Sequence, residues 1–137
     1  QLIPLEDECT HKSERPEPFY TVSLEVKHKK TLEDALRAFV EGERLDGANA
    51  YKCEVCNRGV ATLKRACLRH LPDTLLLHLK RFEFDFDALR NCKLNDELSF
   101  PTRLDLEPYT SEGLARKDAE AAGQPPPPRA HPPAYYD

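Results

Sequence analysis

Four side chains in this 137-residue sequence have the types and spacing to hold a metal ion. Cys53-Glu54-Val55-Cys56 places two thiols two residues apart, and Asn57-Arg58-Gly59 lets the chain turn beneath them. Two such thiolates can reach one ion, and their softness favours zinc. Zinc takes four ligands, so a second pair must come from elsewhere. Cys9-x-His11, in a polar, loop-like stretch, is the candidate. Together Cys9, His11, Cys53 and Cys56 would close a structural site with no position left for a reactive water. Two other readings stay open: unrelated cysteines beside a solvated histidine, and a redox Cys-x-x-Cys pair. The second is disfavoured because Cys53 does not open a helix after a buried strand.

The other candidate chemistry is thin. Cys67, beside Ala66 and Leu68, reads as a buried small hydrophobe, and Cys92 has no partner near it in sequence. Of the remaining histidines, His28 lies in a lysine-rich turn, His70 precedes Leu71-Pro72 and His131 sits in a proline-rich tail. His78 falls inside an apolar run, where a core or half-buried histidine is expected. The sequence holds no G-x-S-x-G, phosphate loop, dinucleotide fingerprint or H-E-x-x-H. Scaffold and binding surface, rather than chemistry, are expected of this stretch. Glu6-Asp7-Glu8 and the basic Lys27, Lys29 and Lys30 read as solvated surface. Pro132-Pro133-Ala134-Tyr135 has the P-P-x-Y form read by WW-type domains, a short pattern often met by chance.

The elements that must position these residues follow from periodicity. Tyr20, Val22, Leu24 and Val26 alternate as on a half-buried strand. Leu32, Ala35, Leu36, Phe39 and Val40 repeat at helical spacing. Thr31 stands ready to cap that helix and Gly42 to stop it. Residues 60–69 can extend as a strand. The run 74–82 is apolar on both sides and predicts a central strand buried on both faces. Residues 92–106 suggest one or two short strands, with Leu98, Phe100, Leu104 and Leu106 as core candidates and Pro101 at an edge or bulge. From about residue 111, Ala, Gly, Pro and charge take over. Residues 111–137 are expected to be proline-rich and disordered, with polyproline II at 125–128. The sum is an α+β piece, mostly antiparallel strands with one clear helix and a zinc knuckle.

Composition bounds the rest. The chain is 39% hydrophobic and 32% charged, with a net charge of −4. Nucleic-acid binders are usually basic, so this charge argues against a nucleic-acid partner. No apolar run reaches transmembrane length, which argues against a membrane partner. Five cysteines without a secretory signal argue against a disulfide scaffold and for a reducing compartment. Neither end reads as a natural domain boundary, so a segment of a longer protein is expected.

These motifs together resemble the ubiquitin-specific proteases. Leu76-Leu77-His78-Leu79-Lys80-Arg81-Phe82 is similar to that family's L-x-L-K-R-F strand. Around it, in matching order, stand Glu17-Pro18-Phe19, the helix at 31–40, Leu45–Cys56, Ala61–Arg65, Asn95-Asp96, Phe100-Pro101 and Leu106–Tyr109. The match covers about residues 5–110 and most resembles the branch of large, fat-facets-type members. It implies a thumb-palm-fingers cysteine peptidase that cuts (iso)peptide bonds after the ubiquitin C-terminal glycine, located in the cytoplasm and also the nucleus. Residues 1–110 would be fingers and part of the palm. Cys53 and Cys56 match the second metal pair. Cys9-x-His11 stands where many members carry C-x-x-C, a departure in spacing and ligand that zinc accepts. The catalytic cysteine and histidine boxes would lie outside this stretch, with Tyr135-Tyr136-Asp137 where the lead-in to the histidine box would fall, and His78 would be structural. Ubiquitin and ubiquitinated proteins would be the partners. The rival is a non-enzymatic zinc-knuckle interaction module, separated from the first by what flanks these residues and by hydrolysis of a ubiquitin substrate.

Overall fold

The computed structural model describes residues 1–137. Eleven short strands and two α-helices follow one another in the chain. First come β1 (Leu2–Pro4), β2 (Thr21–Glu25), α1 (Leu32–Glu41) and β3 (Glu43–Leu45). A single 3-10 turn at Gly47–Asn49 leads into β4 (Tyr51–Cys53), β5 (Arg58–Val60) and β6 (Thr62–Lys64). Then come β7 (Leu76–Lys80), β8 (Phe82–Asp85), β9 (Arg90–Lys93) and β10 (Leu104–Asp105). A second 3-10 turn at Glu107–Tyr109 precedes α2 (Ser111–Ala121), and β11 (Tyr135–Tyr136) is last.

Helix α1 forms where its apolar spacing predicts. The Thr31 hydroxyl accepts the Asp34 N–H at 3.0 Å, and Glu33 and Asp34 lie at the positive end of the helix dipole. Gly42 ends the helix at φ 79°, a conformation that disfavours any side chain. A Cβ there would also stand 2.6 Å from the Arg65 Cβ. The buried stripe of Leu32, Ala35, Leu36 and Val40 packs on Val22 and Leu24 of β2. Leu68, Leu104, Leu106, Tyr109 and Leu114 complete this core.

Most pairings are antiparallel, as expected: β1-β6-β3 forms a three-stranded sheet, and β4–β5, β8–β9 and β10–β11 pair in twos. The exception is β2–β7, which is parallel, with Leu24 opposite Leu79. A parallel pair needs a long crossover, and α1 with the β3–β6 region supplies it.

Several local expectations need correction. The 60–69 stretch is not one strand: the chain turns a corner at Ala61 between Val60, the end of β5, and β6 (paired to β1 and β3), and residues 65–69 form no strand. The 74–82 run is not a central strand buried on both faces. Within this chain β7 pairs with β2 alone, and Leu76 is 57% exposed. His78 is exposed rather than half-buried, and its Nδ1 lies 3.2 Å from the Ser23 hydroxyl across the pair. Leu104 and Leu106 are core residues, whereas Phe100 is 74% exposed.

The largest correction concerns residues 111–137, read as disordered. Thr110 caps α2 by accepting the Gly113 N–H at 3.0 Å. Gly113 lets the helix lie directly on the Glu107 carbonyl, and Leu114 is buried in the core. Composition hid this helix because only one face of it is apolar. Residues 124–134 carry no helix or strand, in keeping with their prolines. They are tethered nonetheless: Glu112 accepts the Ala130 N–H and faces His131, and Arg116 donates to the Pro127 carbonyl. No helix is long and apolar enough to cross a membrane.

Candidate metal centre

The β4–β5 hairpin builds half of the centre. Cys53 ends β4 opposite Arg58 at the start of β5, so residues 54–57 make the tight knuckle between them. Asn57 takes φ 52°, a left-handed conformation that asparagine tolerates and that closes the turn. The Cys56 N–H then points back at the Cys53 sulfur, 3.5 Å away.

The other half arrives through β1. Its pairing with β6 brings the N-terminal stretch alongside the hairpin, and Leu5 N–H continues the contact to the Ala61 carbonyl. Glu6 then fixes the loop. One carboxylate oxygen accepts the Ala61 N–H at 2.8 Å and the other accepts the Arg58 guanidinium at 2.6 Å. These bonds hold the Glu6 carboxyl below its ordinary range, the Ala61 N–H contributing most. The Glu6 carbonyl accepts the Cys9 N–H, which turns the Cys9 thiol inward. Glu8 adds a second carboxylate to Arg58 at 3.2 Å. Two members of the supposedly solvated acidic patch are therefore the clamp that aligns Cys9-x-His11. Nothing in the local sequence pairs Glu6 with Arg58; only the β1–β6 register does.

Cys9, His11, Cys53 and Cys56 converge as their spacing suggested, and their ligand atoms all lie within 4.8 Å of one another. The Cys9 and Cys53 sulfurs are 3.8 Å apart. The His11 Nδ1 lies 3.7 Å from Cys9, 3.7 Å from Cys53 and 3.3 Å from Cys56. A tetrahedral ion with metal–sulfur bonds of about 2.3 Å sets sulfurs about 3.8 Å apart, and sulfur-to-nitrogen edges slightly shorter. The Cys9–Cys53 edge and the three His11 edges are close to those of such a tetrahedron, and the cluster could hold an ion. Cys9 and Cys53 are buried beside Val60, with Tyr51 and Cys56 packed against them. The Cys56 and Val55 N–H groups draw the Cys53 thiol down to about 7, the Cys56 group contributing more. Hydrogen bonding to Cys9, with burial and the Cys53 thiol, pushes Cys56 up to about 11. Of these two thiols Cys53 is thus the readier to ionise near neutral pH, and a metal would have to displace the proton of Cys56.

The two remaining cysteines sit apart from this cluster. Cys67 packs half-buried on the main core, and burial pushes its thiol up. Cys92 lies on β9 with its sulfur 4.0 Å from the Glu83 carboxylate. In the Pro132–Tyr135 motif the prolines are exposed, while Tyr135 pairs with Asp105 in β11 under the Arg103 guanidinium, 4.5 Å from the ring centre.

Known proteins agree with this architecture. The family model described as ubiquitin carboxyl-terminal hydrolase matches residues 7–123. Over 113 residues, or 82% of this chain, the chain is 42% identical to the probable ubiquitin carboxyl-terminal hydrolase FAF of Drosophila melanogaster. Over 114 residues it is 43% identical to human ubiquitin carboxyl-terminal hydrolase 24. It spans 4% of the length of each of these relatives. Among solved structures it is similar to a chain of the SAGA Ubp8/Sgf11/Sus1/Sgf73 DUB module bound to ubiquitin aldehyde. The TM-score there is 0.68 at 34% identity, over 81% of this chain and 24% of that one. The same module with the Ubp8 C146A substitution, bound to monoubiquitin, also gives 0.68. The protein belongs to the ubiquitin carboxyl-terminal hydrolase family.

Proposed function

We propose that this chain is the fingers and part of the palm of a cysteine-type deubiquitinase. The whole enzyme hydrolyses (iso)peptide bonds after the ubiquitin C-terminal glycine, and residues 1–110 supply a zinc-stabilised surface that binds ubiquitin and ubiquitinated proteins. Helix α2 lies within the stretch matched by the family model and docks on the same core, and the proline-rich residues 124–134 follow it. The observation that carries the reading is the shared architecture with the Ubp8 chain solved with ubiquitin aldehyde.

Cys9, His11, Cys53 and Cys56 are the proposed zinc ligands. Three thiols and an imidazole in a closed tetrahedron are a structural zinc set. Bound there, zinc cross-links the N-terminal loop to the β4–β5 knuckle and leaves no open position. The nucleophile and its base are proposed to come from outside this chain. The surroundings of the two spare thiols support that: burial disfavours the Cys67 thiolate, and the side-chain hydrogen bond of Cys92 goes to Glu83 rather than to a histidine base. The same reading places the enzyme in the cytoplasm and nucleus. For a WW-type domain to read Pro132–Tyr135, Tyr135 has to leave its pairing with Asp105.

Two measurements test the reading. Isotope-labelled ubiquitin titrated with the zinc-loaded chain is expected to show saturable shifts confined to one face; an unchanged spectrum at millimolar chain argues against it. A fluorogenic ubiquitin substrate is expected to survive incubation with the chain, and turnover would show that the catalytic groups are present after all.

A further inference from the structure

We infer that the thiolate cluster is also a hydroperoxide-reactive modification site, entered at Cys56, where oxidation joins Cys56 to Cys53 and dismantles the metal centre. This rests on the zinc reading above and extends it from a static clamp to a centre with two chemical states.

The case begins with access. Cys9 and Cys53 are each only 3% exposed, so a peroxide cannot reach them directly. Cys56 is half-buried on the outer side of the knuckle, flanked by Val55, 72% exposed, and by exposed Asn57. It is the most accessible of the three cysteines.

Next comes the partner. Cys53 lies on the same turn, and its sulfur is already in contact with the Cys56 N–H. A bond between these two sulfurs closes within residues 53–56 and requires no movement of the β1 loop. Cys67 and Cys92 lie outside this cluster, and neither has a thiol among its hydrogen-bond partners.

The chemistry balances. The Cys56 thiolate attacks one oxygen of hydrogen peroxide, the O–O bond breaks, and the released hydroxide takes a proton to become water. This leaves a sulfenic acid on Cys56. The Cys53 thiolate attacks that sulfur, the S–O bond breaks, and the second hydroxide leaves as water. Two sulfurs have given two electrons to the peroxide, and two protons have been consumed. Only Cys9 and His11 then remain as ligands, too few to close a tetrahedron, so the metal is released. A reductant with added zinc reverses the change.

The test uses the whole chain, loaded with zinc and treated with hydrogen peroxide. Trypsin cuts after Lys52 and Arg58, so both thiols fall in one peptide, residues 53–58. The expected result is zinc captured by a chromophoric chelator in step with peroxide consumed. That peptide should become two hydrogens lighter and resistant to alkylation, and a Cys67→Ser/Cys92→Ser variant should respond alike. Zinc retained with an alkylatable 53–58 peptide overturns the inference, as does oxidation confined to Cys67 and Cys92. Elemental analysis before treatment separates the two ideas: a chain that never held zinc sinks the zinc reading and this inference with it, whereas a zinc-loaded but inert chain sinks only the inference.

Discussion

The sulfurs of Cys9 and Cys53 stand 3.8 Å apart although 44 positions separate them in the chain. Between them lie β2 and α1, which build the main core, and β3, which pairs with β6. The contact therefore depends on the return of the chain through β6 to β1, and on Glu6 holding Arg58. A bound ion at this point would join the two ends of a long excursion, which is where a cross-link constrains the unfolded chain most.

Metal content should follow the ligand set. One zinc per chain is expected by elemental analysis. Cys53→Ser should lose it and raise amide exchange over residues 45–60; retention of stoichiometric zinc in that variant would rule out the assignment.

Zinc affinity should climb with pH. Binding requires thiolates, and Cys56, held up at about 11, keeps its proton across the neutral range until a metal displaces it. Affinity should therefore rise roughly tenfold or more per pH unit between 7 and 9. It should fall more steeply below about 7, where Cys53 also takes up a proton. Competition with a chelator of known affinity across this range measures the slope, and a flat profile would contradict thiolate ligation.

Glu6 should matter to the metal without touching it. Glu6→Ala removes the acceptor for the Ala61 N–H and the Arg58 guanidinium. Zinc affinity is expected to weaken by about 10–100-fold, the usual effect of losing an outer support. Asp7→Ala, next in sequence, has no such bonds and serves as the control; equal effects from both would remove Glu6 from its assigned role.

The helix–strand core should be the main source of stability. Leu36 is fully buried between α1 and β2, and Leu36→Ala should cost about 2–5 kcal/mol in chemical denaturation. Thr31→Ala, which removes only the cap, should cost about 1 kcal/mol. A reversed ranking would mean that α1 is held by its ends rather than by its face.

Helix α2 is testable through Gly113. A Cβ there would stand 1.9 Å from the Glu107 carbonyl oxygen, which is backbone and cannot swing aside. Gly113→Ala should destabilise by at least the roughly 1–3 kcal/mol of core overpacking, whereas the same change in a freely exposed helix would stabilise it. The Arg65 guanidinium, nearly buried, meets Asp118 of α2 at 2.7 Å. Asp118→Asn should cost about 1–2 kcal/mol, since a charged hydrogen bond is weakened at a half-exposed partner.

The sequence by itself determined the features that depend on near neighbours. Helix α1, its Thr31 cap and its Gly42 stop follow from spacing within one segment, as does the alternation of Val22 and Leu24. Cys53-x-x-Cys56 follows from a turn four residues long. The order of the motifs around Leu76–Phe82 was enough to indicate the family that the comparisons then showed. Tertiary structure decided whatever required one segment to meet another. It put Cys9 and His11 at the other two corners, through a strand pairing that no local pattern encodes. It turned Glu6 from a surface charge into a clamp, because Arg58 comes beside it only in the folded register. It made a helix of residues 111–121, where average composition is polar but Leu114 and Gly113 find a core and a carbonyl to lie on. It also left β7 paired with β2 alone and Phe82, Phe84 and Phe86 facing outward. Apolar periodicity says that a face wants cover, but burial is a property of two surfaces, and a single segment carries only one of them.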